Sequence, residues 1–248
     1  MKVLPLQKEP SVAMSSNSPA DPAPLDRDTR QRQIIPPAKL AACHAVIIGV
    51  GAVGRQAAIQ LAAVGISRMT LIDHDIVGVE NLAPQAYWPT DIGRLKVEAT
   101  QELCRNIHSQ CVIDPIAARF RRSMLKSLAA FTEPNLQLVV FACVDSIDAR
   151  RMIWDTVKNT AAFFADGRMS AEVIRVLAAD RPPADIYYPT TLFSSAEAYA
   201  GSCTAKSTVY TASICAGLML GQFTKWLRGL PTERDLMLNL LSAELSVA

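Results

Sequence analysis

No two of the six cysteines, Cys43, Cys104, Cys111, Cys143, Cys203 and Cys215, stand as a C-x-x-C pair. Local zinc-binding spacing is therefore missing, and no structural zinc is expected. A disulfide scaffold is equally unexpected in a chain of 248 residues, which is long enough to bury a core of its own; most of the thiols should pack as small hydrophobes. Lysine and arginine never run beyond two in succession and the net charge is only +2. The chain thus lacks the basic footprint of a polyanion binder, and nucleic acid is not an expected primary partner. Long apolar runs are absent too. Ala212 to Leu220 is broken by Ser213 and followed by Gln222 and Lys225, well short of the roughly 20 residues that span a bilayer, so no membrane association is expected. The opening MKVLPLQKEPSVAMSSNSPADPAP has no apolar signal-peptide core, and its Pro, Ser and Ala content cannot bury enough surface to order it. Residues 1–25 are expected to be a flexible leader, residues 26–248 one globular domain, and the location cytoplasmic.

From Ala42 onward short apolar runs alternate with helical patterns, which predicts an α/β fold with a mainly parallel, Rossmann-like sheet and helices on both faces. Strands are expected near 44–49, 69–73, 111–116, 138–143, 161–165 and 172–178. Helices are expected near 52–64, 92–108, 121–131, 147–159 and 208–228, the second with Asp91 as its N-cap. The stretch Asp180 to Ser202 has no period and reads as a long surface loop; its Tyr187, Tyr188, Phe193 and Tyr199 can grip a partner's tail or pack on their own domain. Glu233 to Val247 looks amphipathic and suits a sheet edge or a second subunit.

The segment VIIGVGAVG puts Gly49, Gly51 and Gly54 at the end of the first strand, where glycines allow a tight turn and bring backbone amides to a phosphate at a helix N-terminus. Nineteen residues after Gly54 comes Asp73, at the end of the second strand, where a carboxylate can accept bonds from ribose hydroxyls. These two features alone favour a dinucleotide oxidoreductase over an ATP enzyme, and glycines that serve only close packing are the bland alternative.

The text that follows separates them. In DHDIVGVENLAPQAYWPTDIGRLKVEA, residues Asp73, Asp75, Val77, Asn81, Leu82, Gln85, Asp91, Ile92, Gly93 and Lys96 match the signature of the ThiF/HesA/MoeB superfamily, and the chain resembles it. Arg32-Gln33-Ile34 upstream, Asp145 and Arg150 in VVFACVDSIDARRMI, and Asp166-Gly167-Arg168 downstream resemble further segments of that family in the right order. The resemblance implies a homodimeric, ATP- and Mg²⁺-using adenylyltransferase with a ThiF-type extension, acting on the C-terminal carboxylate of a small ubiquitin-like or sulfur-carrier protein. It implies that Asp73, Asp75, Asn81 and Gln85 line the nucleotide site, that Lys96 serves the phosphates, that Asp145 is a Mg²⁺ ligand, and that Arg32 reaches the triphosphate of a neighbouring subunit. Such a site must neutralise a polyphosphate and hold two anions in line. Blander roles remain for two of these residues, a solvated helix lysine at Lys96 and a helix N-cap at Asp145; Arg150 is expected either to contact the ligand directly or to orient Asp145 through an ion pair.

Pro84 occupies the position of a family arginine. Arg55, in the first turn of the phosphate-facing helix, is expected either to replace that cation or to face solvent. Some relatives use a cysteine before the last core helix to accept the activated carrier; Cys203, near Lys206, fits that place, as would a structural thiol. Two other readings stay open, a non-catalytic dimeric binding module with the same fold and an adenylating enzyme for a small-molecule or tRNA carboxylate.

Overall fold

The computed structural model describes residues 27–128, 136–193 and 207–248. The leader and the segments 129–135 and 194–206 lie outside the described residues. A turn over residues 27–35 leads into α1 (Pro37–Ala41). Strand β1 (Cys43–Ile48), six apolar or uncharged residues all buried, sits in the interior of the sheet, where both faces are covered. Helix α2 (Ala52–Val64) follows and stops where Gly65 turns left-handed. Next come β2 (Arg68–Asp73), α3 (Leu82–Gln85), α4 (Lys96–Ile107) and β3 (Val112–Ala117), then β4 (Gln137–Ala142), α5 (Ile147–Val157), β5 (Phe163–Ser170) and β6 (Val173–Ala179), and finally α6 (Val209–Arg228), β7 (Asp235–Asn239) and β8 (Glu244–Val247).

The eight strands form one sheet in the order β3-β2-β1-β4-β5-β6-β7-β8. Strands β1 to β5 run parallel and β6 to β8 antiparallel, an α/β sheet with an antiparallel extension. The chain winds outward from β1 to β3, then returns to place β4 on the other side of β1. That reversal creates the switch point at which open α/β sheets bind ligands, beyond the carboxyl ends of the strands. One face is covered by α2, α4 and α6, with Leu61, Met219 and Phe223 fully buried; Phe223 meets Phe141 edge-on at 5.7 Å. The other face is covered by α5, where Trp154 packs on Phe164 and Tyr188. Helix α6 can cross close to the sheet because position 167 is glycine, where a Cβ would stand 2.5 Å from Met219 Sδ.

Three expectations need correction. Asp91 does not cap the helix after it: Gly93 adopts φ +83°, the helix begins only at Lys96, and the Asp91 carboxylate instead accepts from Trp88 N at 3.0 Å and pairs with Arg94. Of the helix expected at 121–131, the described residues hold a 3₁₀ stretch instead, Arg122–Ser127, with Met124 and Leu125 partly buried against the core, and 129–131 lie outside the described residues. The C-terminal amphipathic stretch does not lie over the sheet edge but becomes it, because its alternation has a period of two: Leu236 faces inward and Met237 outward.

Candidate functional site

The loop after β1 is set by three glycines with different jobs. Gly49 turns left-handed (φ +89°) against Cys143, whose carbonyl would lie 2.7 Å from an added Cβ. At Gly54 an added Cβ would fall 1.8 Å from Gly49 O, so helix and loop touch backbone to backbone. Gly51 differs: nothing lies within 4 Å of where its Cβ would be. It is the N-cap of α2, and among the described residues no side chain caps the first turn of this thirteen-residue helix or fills the space beside Gly51. Backbone bonds from Gly49 N to Ile72 O and from Cys143 N to Ile48 O, both 2.8 Å, bring the loops after β1, β2 and β4 to one place.

Asp73 is used to build this loop. Its Oδ2 accepts from Val50 N at 2.6 Å and its Oδ1 from Asp75 N at 2.9 Å. Lys96, the first residue of α4, has its side chain only 7% exposed and its Nζ 3.1 Å from Asp75 Oδ2; the carboxylate offsets a cation at the wrong end of a helix dipole. Asn81 is spent locally, accepting from Gly78 N at 2.9 Å. Gln85 Oε1 is buried yet has no hydrogen-bond partner among the described residues. Across the crevice Asp145 is exposed, and no hydrogen bond or ion pair to it is found among the described residues. The cap of α5 is Ser146, which accepts from Ala149 N, so the N-cap reading of Asp145 is overturned.

Arg150 does not pair with Asp145. It is buried, donates to the carbonyls of Val144 and Gly167, and forms its ion pair with Asp166. Arg55 is likewise withdrawn from the crevice. At 1% exposure it lies under the loop, donating to Thr100 Oγ1 at 2.9 Å and Ala86 O at 3.2 Å, with its guanidinium 3.9 Å from the Tyr87 ring centroid and 4.0 Å from Asp91. A group so enclosed cannot replace the missing arginine, and both the replacement and solvent-facing readings fall. Arg32 belongs to the turn that packs on the far end of α2, where Arg27 donates to Ala62 O and Ala63 O and Gln31 to Val64 O. That is about 20 Å, the length of α2, from the glycine loop of its own chain.

Two residues that sequence reasoning passed over shape the site. Tyr87 donates from its hydroxyl to Val50 O at 2.9 Å and ties the glycine loop to α4. His74, between Asp73 and Asp75, stands 3.2 Å from the Asp75 carboxylate; the D-H-D spelling was the available signal. A concavity of about 370 Å³, lined by Ala161, Ala162, Pro182 and Pro183, sits at the opposite end of the sheet, and its charged residues Asp180 and Arg181 face each other at 3.9 Å. It gathers no reactive groups. Cys203, Lys206 and Tyr199 lie outside the described residues.

Residues 29–246 match the family model of the ThiF family. The chain belongs to the ThiF family. A stretch of 109 residues is 29% identical to the molybdopterin-synthase adenylyltransferase of Salmonella typhimurium, covering 44% of this chain and 42% of that protein. Another of 116 residues is 30% identical to the sulfur carrier protein ThiS adenylyltransferase of Escherichia coli, covering 46% and 44%. The matches thus span under half the length of these curated relatives. In fold, the crystal structure of PaaA is similar with a TM-score of 0.70 at 19% identity, over 90% of this chain and 68% of that one. For a ThiF-family chain, this one brings Gly51, Asp75, Lys96 and Asp145 to one end of the sheet, while Arg55 lies beneath the glycine loop and Arg32 in the turn at the far end of α2.

Proposed function

We propose that this ThiF-family chain is an adenylyltransferase, binding Mg·ATP beyond the carboxyl ends of β1 and β4 and activating the C-terminal carboxylate of a small ubiquitin-like or sulfur-carrier protein. The observation that carries the reading is the N-terminus of α2 at Gly51, with the buried cation Lys96 at the start of α4 and, after β4, the exposed carboxylate of Asp145, for which no partner is found among the described residues. The names of the curated relatives support it.

In this scheme the α2 amides hold the nucleotide's phosphates and Lys96, released from Asp75, adds a full charge. Asp145 fits Mg²⁺, which takes one or two protein carboxylates and completes its shell with water and phosphate oxygens; the metal would neutralise phosphate charge. The carrier's carboxylate oxygen attacks the α-phosphorus, the bond from that phosphorus to the bridging oxygen breaks, and pyrophosphate leaves with the electron pair. Arg32 lies about 20 Å from its own crevice, and this supports a reading in which it serves the partner's site in a homodimer. Incubated with a carrier ending in Gly-Gly, the protein should exchange labelled pyrophosphate into ATP. Lys96→Ala and Asp145→Ala should each lower that exchange by about 100-fold. A wild-type protein that neither exchanges nor binds Mg·ATP in calorimetry would remove the proposal.

One observation favours a second reading. Pro84 supplies no cation, and Arg55 is sequestered under the loop, so the crevice is poorer in positive charge than the family pattern implies. A dimeric binding module with little turnover would bind Mg·ATP and give no exchange. Exchange that requires no carrier would instead point to a small-molecule or tRNA carboxylate.

A further inference from the structure

We propose that Asp166 is a positioning residue that joins the loop bearing Asp145 to the 3₁₀ stretch Tyr188–Thr191, so that the two move as one unit; its bearing on catalysis rests on the adenylylation reading. Asp166 is fully buried in β5, level with Ala142 at the end of β4. Its carboxylate takes the Arg150 ion pair on one oxygen. The other oxygen accepts from Arg168 Nε at 2.8 Å and from the Tyr188 hydroxyl at 3.0 Å. From there two arms run outward. Arg150 donates to Val144 O, the residue before Asp145, and to Gly167 O at 3.2 Å. Arg168 donates to Thr191 O at 3.0 Å and Thr191 Oγ1 at 3.1 Å.

Two guanidinium groups therefore share one carboxylate in a place nearly closed to water. Burial, and after it the charge of Arg168, lowers Arg150 to about 10. Without the Asp166 charge the two cations would repel and both arms would be released together. Stability alone is a weak account of such a cluster, since apolar side chains of similar volume often hold a core as well. What apolar groups cannot supply is directional bonding to two loop carbonyls, Val144 and Thr191, on opposite sides of one strand.

Hydrogen exchange on the free, full-length protein tests the coupling. In Asp166→Asn, amides of residues 144–150 and of 187–192 should both exchange faster, by roughly tenfold or more, while those of β1 and β2 keep wild-type rates. Arg168→Gln cuts only the Thr191 arm directly, yet it should also quicken 144–150, and Arg168→Lys should restore part of the protection. In parallel, both Asp166→Asn and Arg168→Gln should raise the Mg²⁺ concentration needed for half-maximal ATP binding by about threefold or more. Loosening of 187–192 alone in Arg168→Gln, or uniform loosening of the whole sheet in Asp166→Asn, overturns the proposal. Should Asp166→Asn fail to fold, the two Arg168 variants decide by the same criterion. A wild-type protein that binds no Mg·ATP removes the adenylylation reading and leaves the exchange data to settle the coupling.

Discussion

Gly51 and Gly54 stand three positions apart, one capping α2 and the other in its first turn, and the structure gives them opposite reasons to be glycine. At Gly54 a methyl group would meet the Gly49 carbonyl, so Gly54→Ala should push α2 off the β1 loop and cost about 3 kcal/mol or more in a denaturation experiment. At Gly51 a methyl group would meet no protein atom, so Gly51→Ala should fold with a stability within about 1 kcal/mol of wild type. If phosphate oxygens fill that space, the same variant should lose at least tenfold in ATP affinity by calorimetry. Equal ATP affinity in Gly51→Ala and wild type would place the phosphates elsewhere. At this scale charge also proved a poor guide to role. Lys96 and Arg55 are both enclosed cations, yet Lys96 is held by a half-exposed carboxylate at the crevice while Arg55 is held by Thr100, Ala86 and Tyr87 beneath it.

Among the elements, the antiparallel extension is fastened by one charged group. Asp235, the first residue of β7, accepts from Arg175 Nε at 2.9 Å, from Arg175 Nη2 at 2.6 Å and from the Tyr187 hydroxyl at 2.7 Å. The Arg175 bonds hold its carboxyl below the ordinary value of 3.8, against the opposing effect of burial. A carboxyl depressed in the fold stabilises fully above its ordinary value and loses that contribution as pH falls through the folded value. Asp235→Asn should therefore cost about 2 kcal/mol near neutral pH, and the gap from wild type should close as the pH drops well below about 3.8. Urea titrations at neutral and acid pH measure both. A gap that stays constant with pH would mean that packing, not charge, fastens the hairpin. The neighbouring stretch Tyr188–Thr191 is bound from three sides, by Asp166, Arg168 and its own turn, so the aromatic residues described in the long loop pack largely on their own domain: Tyr188 is buried against Trp154 and Phe164, whereas Phe193 is 43% exposed.

For the molecule as a whole, the five described cysteines show what burial in two layers does. Cys43, Cys104 and Cys215 are pushed up to about 12 and Cys111 to about 11, in each case by burial, and Cys143 is raised further by the same cause. Thiolate is the reactive form, so these five should stay unlabelled by iodoacetamide at pH 8 in the native protein and label readily in denaturant, as peptide mapping would show. Rapid native labelling of Cys143 would reveal access from the crevice floor. Helix α2, bounded by Gly51 and Gly65, the buried run of β1 and the glycine loop itself were legible in sequence, because local pattern and turn chemistry act over a few residues. The order of motifs from Asp73 to Lys96 and again at Asp145 likewise pointed to the family. Direction of side chains was another matter. Whether Arg55 faces a phosphate or Tyr87, whether Arg150 meets Asp145 or Asp166, and whether the last residues lie on the sheet or extend it depend on partners distant in the chain. Spacing along a chain determines which residues share an element, while burial and hydrogen bonding to remote elements determine where their charges point, and only the folded arrangement of β4, β5 and the 187–193 stretch could decide that.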